Sequence, residues 1–335
     1  MKNQNRPSLI RHFCFHEESS TTDSVFFAGT CNLANNTIQK YSIKEGSNVI
    51  NCDSSQTINQ EVRSIYAVPN CNQFFLLTRD SKNKYNIAHW SASNTSEMHQ
   101  ELLILSSNDP IIFFKPIFNQ HIEIARIIQY NYFFYATPHD FYVCYSNKEQ
   151  YHFSIGNQSN IYAGASISND LFALGCGTEL KIYDIRQNQA ETCEPQLHSG
   201  RITDISVSPI DNNHIYTGGF DGIVKHLDRR NFGHSIDEVL TGCSNCSEEQ
   251  SPVMHVAPHP KDLSIFATVA AGNISSSYVK IFKNGKQYRS LNRSEKAAQS
   301  RDMWIEWSNK NPSLLVSVNS LGQFKTHYYF DIDFC

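Results

Sequence analysis

Short apolar segments separated by polar turns recur along the chain, and one unit shows the pattern most clearly. Segment 202–207 has apolar residues at positions typical of a buried strand. A polar turn follows, then a second apolar strand over 214–219, a tight turn at 220–222 and a third strand over 223–229. The pattern therefore predicts antiparallel strands joined by tight turns.

The same plan repeats along the whole chain. Tyr183 and Leu227 occupy equivalent positions in two successive units, 44 residues apart. Periods of roughly 40 to 50 residues are typical of propeller blades. We count seven units, over residues 9–45, 62–91, 122–147, 161–187, 202–231, 253–285 and 303–330. Within the third unit, the first strand is predicted at 124–129.

The clearest unit resembles a WD repeat. His198 and Asp221 stand where such repeats place a buried hydrogen-bonded pair, although Tyr183 and Leu227 replace the signature tryptophan. We therefore predict an all-β fold, a seven-bladed WD-repeat β-propeller with four-stranded blades. Residues 1–335 are expected to form this single domain, because no blade can bury its two faces alone. The polar spacers 91–119 and 285–301 are predicted to be loops.

Composition excludes several classes of protein. The 335 residues are 40% hydrophobic and 12% aromatic, which is too apolar for a disordered chain. A net charge of -4 gives no cationic field for nucleic acid. No apolar stretch reaches the roughly 18 residues that span a bilayer, and the opening residues 1–7 lack the apolar centre of a signal peptide. We expect a cytoplasmic protein that binds no nucleic acid and does not insert into membranes.

The cysteines give no clear metal site. Ten are present, and all are scattered singly except the pair Cys243 and Cys246. The pair has no second CxxC at finger spacing, and the nearby His255 and His259 lie in a proline-punctuated stretch. We predict no metal and no cofactor. Scattered single thiols are typical of a reducing compartment.

His198 and Asp221 admit two interpretations. They form a structural pair in WD repeats, but a histidine beside an aspartate can also be a catalytic base with its orienting group. No serine or cysteine stands in a nucleophile motif, and no glycine-rich phosphate loop follows a strand. We therefore predict that the chain is not an enzyme.

Candidate partner contacts lie on loops, because the strands are committed to the core. Phe220 at a turn apex, Arg201 entering the same blade, and Arg301 or Trp304 entering the last blade are the first candidates. The second set lies at the two Asp-x-Arg corners, where an arginine can pair within the blade or with a partner: Asp184 with Arg186, and Asp228 with Arg229 and Arg230.

Several segments resemble the EARP- and GARP-complex-interacting family of WD-repeat proteins. They are residues 26–33, which read Phe-Phe-Ala-Gly-Thr-Cys-Asn-Leu, the turn 78–82, the tryptophan-ending strand 87–90, the paired Asp-x-Arg corners and the segment 307–312. The resemblance implies a non-enzymatic adaptor that binds protein subunits of multisubunit tethering complexes. It also implies peripheral association with endosomes and the trans-Golgi network.

Two other functions remain open. The tandem Asp-x-Arg corners also resemble the adaptor-docking motif of substrate receptors in cullin-type ubiquitin ligases. A propeller hydrolase similar to the diphthine methylesterase is the alternative enzyme, and it would need a nucleophile in the axial channel.

Overall fold

The structure is a computed structural model, and its described residues are almost entirely β-strand. It describes residues 10–16, 22–31, 36–68, 72–92, 97–117, 133–145, 149–155, 159–187, 189–241, 251–271, 277–291, 302–319 and 321–329. Seven antiparallel sheets follow one another along the chain, which confirms the predicted all-β, seven-bladed β-propeller. The described part contains no helix long and apolar enough to cross a membrane.

Each sheet pairs its strands in chain order, so every blade is a meander. Blade 1 has β1 to β4 at Ile10–His16, Ser24–Thr30, Asn36–Ile43 and Ile50–Ile58. Blade 2 has β5 to β8 at Glu61–Ala67, Gln73–Arg79, Tyr85–Ala92 and Met98–Ser107. Blade 3 has β9 to β12 at Phe113–Pro116, Phe133–Ala136, Asp140–Tyr145 and Glu149–Ser154. Blade 4 has β13 to β16 at Ile161–Ser166, Leu171–Cys176, Glu179–Asp184 and Gln189–Glu194.

The remaining blades continue the plan. Blade 5 has β17 to β20 at Ile202–Val207, His214–Gly219, Ile223–Asp228 and Ser235–Leu240, with a short 3-10 turn at Arg229–Asn231. Blade 6 has β21 to β24 at Val253–Pro258, Ile265–Ala271, Ser277–Lys283 and Lys286–Leu291. Blade 7 has β25 to β27 at Asp302–Trp307, Leu314–Asn319 and Phe324–Tyr328. Within the described residues this last blade has three strands.

The chain divides into two compact units. One comprises residues 1–108 and 300–335 and holds blades 1, 2 and 7; the other, residues 109–299, holds blades 3 to 6. Within each unit the first strands of successive blades contact each other, so they form the inner layer. In the first unit β1 contacts both β5 and β25, which brings the blades from the two ends of the chain together. There the Tyr328 hydroxyl donates to the Ser47 carbonyl oxygen at 2.6 Å.

Apolar side chains from facing blades interdigitate to form the core. Between blades 4 and 5, Ala173 and Ile182 pack with Ile202 and Ile205, all buried. Gly175 allows this approach, because a Cβ there would lie 2.8 Å from a methyl carbon of Ile202. The blades are therefore closely packed, and their loop ends are carried on a rigid frame.

The prediction that both polar spacers are loops was wrong. Spacer 91–119 contains β8 and β9, and spacer 285–301 contains β24. The fourth strands β8 and β24 lie on the outside of a blade, where most of their side chains face solvent, and five of the six residues of β24 are exposed. An outer strand needs no apolar alternation, so its sequence looks like a loop. For the same reason the predicted bounds of blades 1, 2, 4, 5 and 6 end one strand too early.

The predicted start of blade 3 was also wrong. The blade spans residues 113–154, and β9 is its first strand. The strand predicted at 124–129 lies outside the described residues. Because β9 has only four residues, it gives too short an apolar signal to mark the start of a blade.

Candidate interaction surface

A tight turn between β18 and β19 organises one end of blade 5. Gly222 has φ 77°, a conformation that favours glycine, and its N–H donates to the Gly219 carbonyl at 3.1 Å. Asp221 sits in this turn and accepts from the N–H of Ile223 at 3.1 Å. The turn therefore holds Phe220 at its apex and directs the Asp221 carboxylate into the blade.

Asp221 ties this turn to the segment that enters the blade. Its carboxylate is 3.1 Å from His198 Nδ1 and accepts from the Ser199 N–H at 2.8 Å. On the other side of the ring, the Thr217 hydroxyl lies 2.9 Å from His198 Nε2. The structure thus places His198 and Asp221 in one buried hydrogen-bonded pair.

Burial and charge set the protonation of this pair. Burial lowers the pKa of His198 despite the nearby Asp221 charge, so we assign a neutral ring. Nδ1–H then donates to Asp221, and Nε2 accepts from the Thr217 hydroxyl. Burial alone would raise the pKa of Asp221, but His198 and the backbone N–H donors outweigh it and hold the pKa below its ordinary value.

An aspartate, a histidine and a hydroxyl in this order have the connectivity of a hydrolytic triad. Here the His198 and Asp221 side chains are 0% and 2% exposed, and Thr217 is fully buried. A substrate has no route to the hydroxyl in this arrangement. The geometry therefore favours a structural tie between the entering segment and the turn.

We expect Asp221→Ala to destabilise the protein by about 2 to 3 kcal/mol, because it leaves the buried His198 ring and the N–H groups of Ser199 and Ile223 without their acceptor. Asp221→Asn keeps an acceptor oxygen and should lose less. Urea unfolding of the three proteins measures both effects. Equal midpoints for wild type and Asp221→Ala would contradict the structural role.

Beside the turn, three side chains form an exposed cluster. The Arg201 guanidinium carbon lies 4.9 Å from the centre of the Phe220 ring and 5.0 Å from the centre of the Tyr162 ring. Phe220 is 49% exposed, Arg201 is exposed and Tyr162 is half-buried. We call these three residues the Arg201 cluster. Cation–π contact holds the guanidinium against both rings.

Backbone contacts fix the Arg201 cluster to the blade. The Phe220 N–H donates to the Arg201 carbonyl at 2.8 Å. Gly200 lets the chain pass close to the turn, because a Cβ there would lie 3.1 Å from the Phe220 Cβ. The backbone positions of Phe220 and Arg201 are thus fixed relative to each other.

Tyr162 was missed by sequence reasoning. It belongs to β13 of the neighbouring blade, next to the buried Ile161 at the start of the strand. Its hydroxyl accepts from the Asn160 side-chain amide at 3.5 Å. Its position in the sequence could have identified it, because it is the second residue of an inner strand and lies next to the loop that enters the blade.

The Asp-x-Arg corners lie at the other end of the strands. In blade 5, Ile202 pairs with Gly219 at the end that carries Phe220, whereas His214 pairs with Asp228 at the opposite end. The two sets of candidate contacts in this blade therefore belong to opposite loop ends.

Both corners contain local ion pairs. Asp184 accepts from the backbone N–H and from Nε of Arg186, each at 2.9 Å, and Asp228 binds Arg230 in the same way at the same distances. The arginine hydrogen bonds lower the pKa of both aspartates. Arg229 instead donates to the Asn213 side-chain oxygen at 3.1 Å. The Arg186 and Arg230 side chains are still 65% and 59% exposed.

Of the two candidates in the last blade, the structure describes one. Arg301 lies outside the described residues. Trp304 is partly buried in the core of the first unit, and its ring centre lies 4.1 Å from that of His12. Trp304 therefore packs within its own unit.

Of the possible zinc ligands, the structure describes only the histidines. Cys243 and Cys246 lie outside the described residues. Nδ1 of His255 is 2.7 Å from the Asp204 carboxylate, so this nitrogen is already hydrogen-bonded to an aspartate. The part of the chain that the structure describes holds no cluster of three or more residues able to bind a metal ion. None of the cysteines whose side chains are described forms a disulfide.

Three charged side chains lie on inner strands: Asp204 is buried, whereas Lys115 and Glu306 are half-buried. In the second unit, Asp204 also accepts from the Val256 N–H at 2.9 Å, and Lys115 donates to the Ile205 carbonyl at 3.1 Å. In the first unit, the Glu306 carboxylate accepts from the Phe15 N–H at 3.3 Å. Burial, with a further contribution from Glu306, raises the pKa of the Cys14 thiol well above its ordinary value.

We compared the chain with protein-family models and with curated proteins. No protein-family model matches the chain, and no curated protein matches it.

Proposed function

We propose that this protein is a non-enzymatic interaction scaffold that binds a partner protein through the Arg201 cluster. A β-propeller is consistent with a scaffold of this kind. The observation that carries the proposal is an exposed arginine and an exposed phenylalanine fixed beside each other on a rigid blade end. Arginine and aromatic side chains are the residues that most often dominate binding energy at protein interfaces.

The buried polar groups support a scaffold over an enzyme. Cys14 has the raised pKa described above, so its thiol stays protonated at neutral pH, whereas a nucleophilic cysteine needs a lowered pKa. The hydroxyl of Thr217, which contacts His198, is sealed from solvent. Neither group has the exposure and activation that a propeller hydrolase would need.

The partner we propose is a protein subunit of an endosomal or Golgi tethering complex, in line with the resemblance of segments 26–33, 78–82 and 307–312. The protein would then work in the cytoplasm, associated peripherally with endosomes and the trans-Golgi network in recycling and retrograde traffic. In this proposal the propeller contributes the docking surface and the tethering complex contributes membrane specificity.

Replacing Phe220 and Arg201 together by alanine should release the partner. Truncation of an interface anchor typically costs about 2 kcal/mol or more, which corresponds to a roughly thirty-fold weaker complex. Affinity purification from native cells, with quantitative mass spectrometry of tethering subunits, measures the loss. The matched control is the pair Arg186→Ala and Arg230→Ala at the opposite loop ends.

The double variant must keep the wild-type melting curve, which separates lost contact from lost fold. Retention of tethering subunits at wild-type affinity by a folded Phe220→Ala, Arg201→Ala protein would reject the docking surface. Recovery of no tethering subunit by the wild-type protein would reject the proposed partner.

The exposed corners favour one alternative. Arg186 and Arg230 are held in the same geometry, and each keeps most of its side chain in solvent. A cullin-type ligase adaptor could dock on both. Recovery of that adaptor by the wild-type protein, and its loss from the control pair of variants, would support this second function.

A further inference from the structure

Arg201 differs from the corner arginines Arg186 and Arg230. Arg186 and Arg230 each contact an aspartate two residues earlier in the chain. Arg201 forms no ion pair with any carboxylate of the described residues, and its contacts are the Phe220 and Tyr162 rings. It therefore keeps its hydrogen-bond donors for another molecule.

The two rings prepare Arg201 for recognition. Contact with aromatic rings limits the motion of a long side chain, so less conformational entropy is lost when a ligand binds. The rings cover part of the guanidinium, while its N–H donors lie in its own plane. A planar group with these donors matches a carboxylate, which it can bind through two parallel hydrogen bonds.

Several carboxylates in the described parts of blades 4 and 5 already have partners of their own. The Lys181 ammonium pairs with Glu179 at 3.4 Å, and the Lys225 ammonium pairs with Glu238 at 3.1 Å. Asp221, the carboxylate nearest in sequence to Phe220, is buried and bound to His198. The Arg201 cluster thus presents one positive charge between two apolar rings.

We propose that Arg201 binds an aspartate or glutamate side chain in an acidic segment of the partner protein, with a neighbouring apolar residue on Phe220. This inference rests on the proposed docking function and adds the chemistry of the partner. A single arginine fits a single negative charge, whereas phosphorylated motifs are recognised by clusters of arginines. Nucleic acid would need a row of basic residues beside Arg201, whereas Lys181 and Lys225 are each paired with a glutamate.

Selection from a phage-displayed library of random peptides tests the proposal without knowledge of the partner. We expect wild-type protein to enrich peptides with Asp or Glu at one fixed position, next to an apolar residue. The best peptide is then synthesised in three forms, with the acid, its amide or phosphoserine at the fixed position. Fluorescence anisotropy measures the affinity of each form for wild type, Arg201→Lys, Arg201→Gln, Phe220→Ala and the control Arg186→Gln.

For the acidic peptide we expect at least tenfold weaker binding to Arg201→Gln, and a clear loss with Arg201→Lys, which keeps the charge but not the planar fork. The amide peptide should bind wild type about as weakly as the acidic peptide binds Arg201→Gln. The amide peptide should bind Arg201→Gln only slightly more weakly still, because the same contact is already lost. Arg186→Gln should bind like wild type. Each variant must first show the wild-type melting temperature, so that weaker binding does not result from unfolding.

Three outcomes would overturn the inference: no enriched acidic position, an equal effect of Arg201→Gln on acidic and amide peptides, or tighter binding of the phosphoserine peptide. If Phe220→Ala abolishes binding while the acid is irrelevant, the docking surface stands and the acidic partner is rejected. If the selected peptides bind Phe220→Ala and Arg201→Gln as tightly as they bind wild type, the docking surface itself is rejected.

Discussion

Replacing Asp204 by alanine is expected to destabilise the protein by about 3 to 5 kcal/mol, because removing a buried carboxylate leaves the His255 ring and the Val256 N–H without their acceptor. Asp204 binds His255 Nδ1 at 2.7 Å and the Val256 N–H at 2.9 Å, and Lys115 is close enough to influence its charge. Burial alone would raise the pKa of Asp204, yet His255, Lys115 and the Val256 N–H hold it below the ordinary value. The carboxylate is therefore ionised and joins three blades of the second unit.

Urea unfolding measures the Asp204→Ala loss, with Asp204→Asn and Glu238→Ala as matched controls. The amide keeps an acceptor oxygen and should lose less than the alanine variant. Glu238 pairs with Lys225 at the half-exposed edge of the same unit, and its removal should change stability by less than about 0.5 kcal/mol. A loss below about 1 kcal/mol for Asp204→Ala would show that the blades hold together without this contact. A His255→Ala, Asp204→Ala double-mutant cycle then measures the coupling directly.

The second strands of the blades could be predicted from sequence because both of their faces are buried. Strands such as β18 and β22 read as apolar runs between polar turns, and the repeat fixes their spacing. Outer strands such as β8 and β24 could not be predicted, because most of their side chains face solvent and the backbone pairing that forms them leaves little trace in composition. Secondary structure at the edge of a blade is set by its inner neighbour.

The candidate surface could also be predicted only in part from the sequence. Phe220 and Arg201 could be selected from sequence because the turn apex and the entering segment have fixed places in each repeat. Their contact with Tyr162 could not, because it crosses from blade 5 to blade 4 and depends on how closely the two inner strands approach. The pairing of Arg186 and Arg230 with their own aspartates needed coordinates, since a corner arginine can equally reach a partner.

Glu306 predicts a pH dependence that one substitution should remove. Burial raises the pKa of its carboxyl to about 8, although hydrogen bonds from the Phe15 N–H and the Trp304 side chain lower it in part. In the unfolded chain the group titrates near its ordinary value of 4.5. Its contribution to stability is therefore fully present below pH 4.5 and is lost as the pH rises towards 8.

Glu306→Gln cannot ionise, so its stability should fall less than that of wild type over this range. The two proteins should differ most at alkaline pH, and the gap should widen by on the order of 4 kcal/mol between about pH 5 and 9, because each unit of pKa shift corresponds to about 1.4 kcal/mol. Urea midpoints measured across the range give the difference, in which the titration of all other groups cancels.

Glu61→Gln is the matched control in the same unit. Arg79 Nη2 lies 2.6 Å from the Glu61 carboxylate. Burial would raise the pKa of Glu61, but Cys31, Arg63 and Arg79 outweigh it and lower the pKa. The opposite sign follows: Glu61 stabilises the fold when ionised, so Glu61→Gln should be less stable than wild type at pH 7 and above. Parallel pH profiles for wild type and Glu306→Gln would mean that Glu306 reaches water when it ionises, and that the contact between β25 and β1 tolerates its charge.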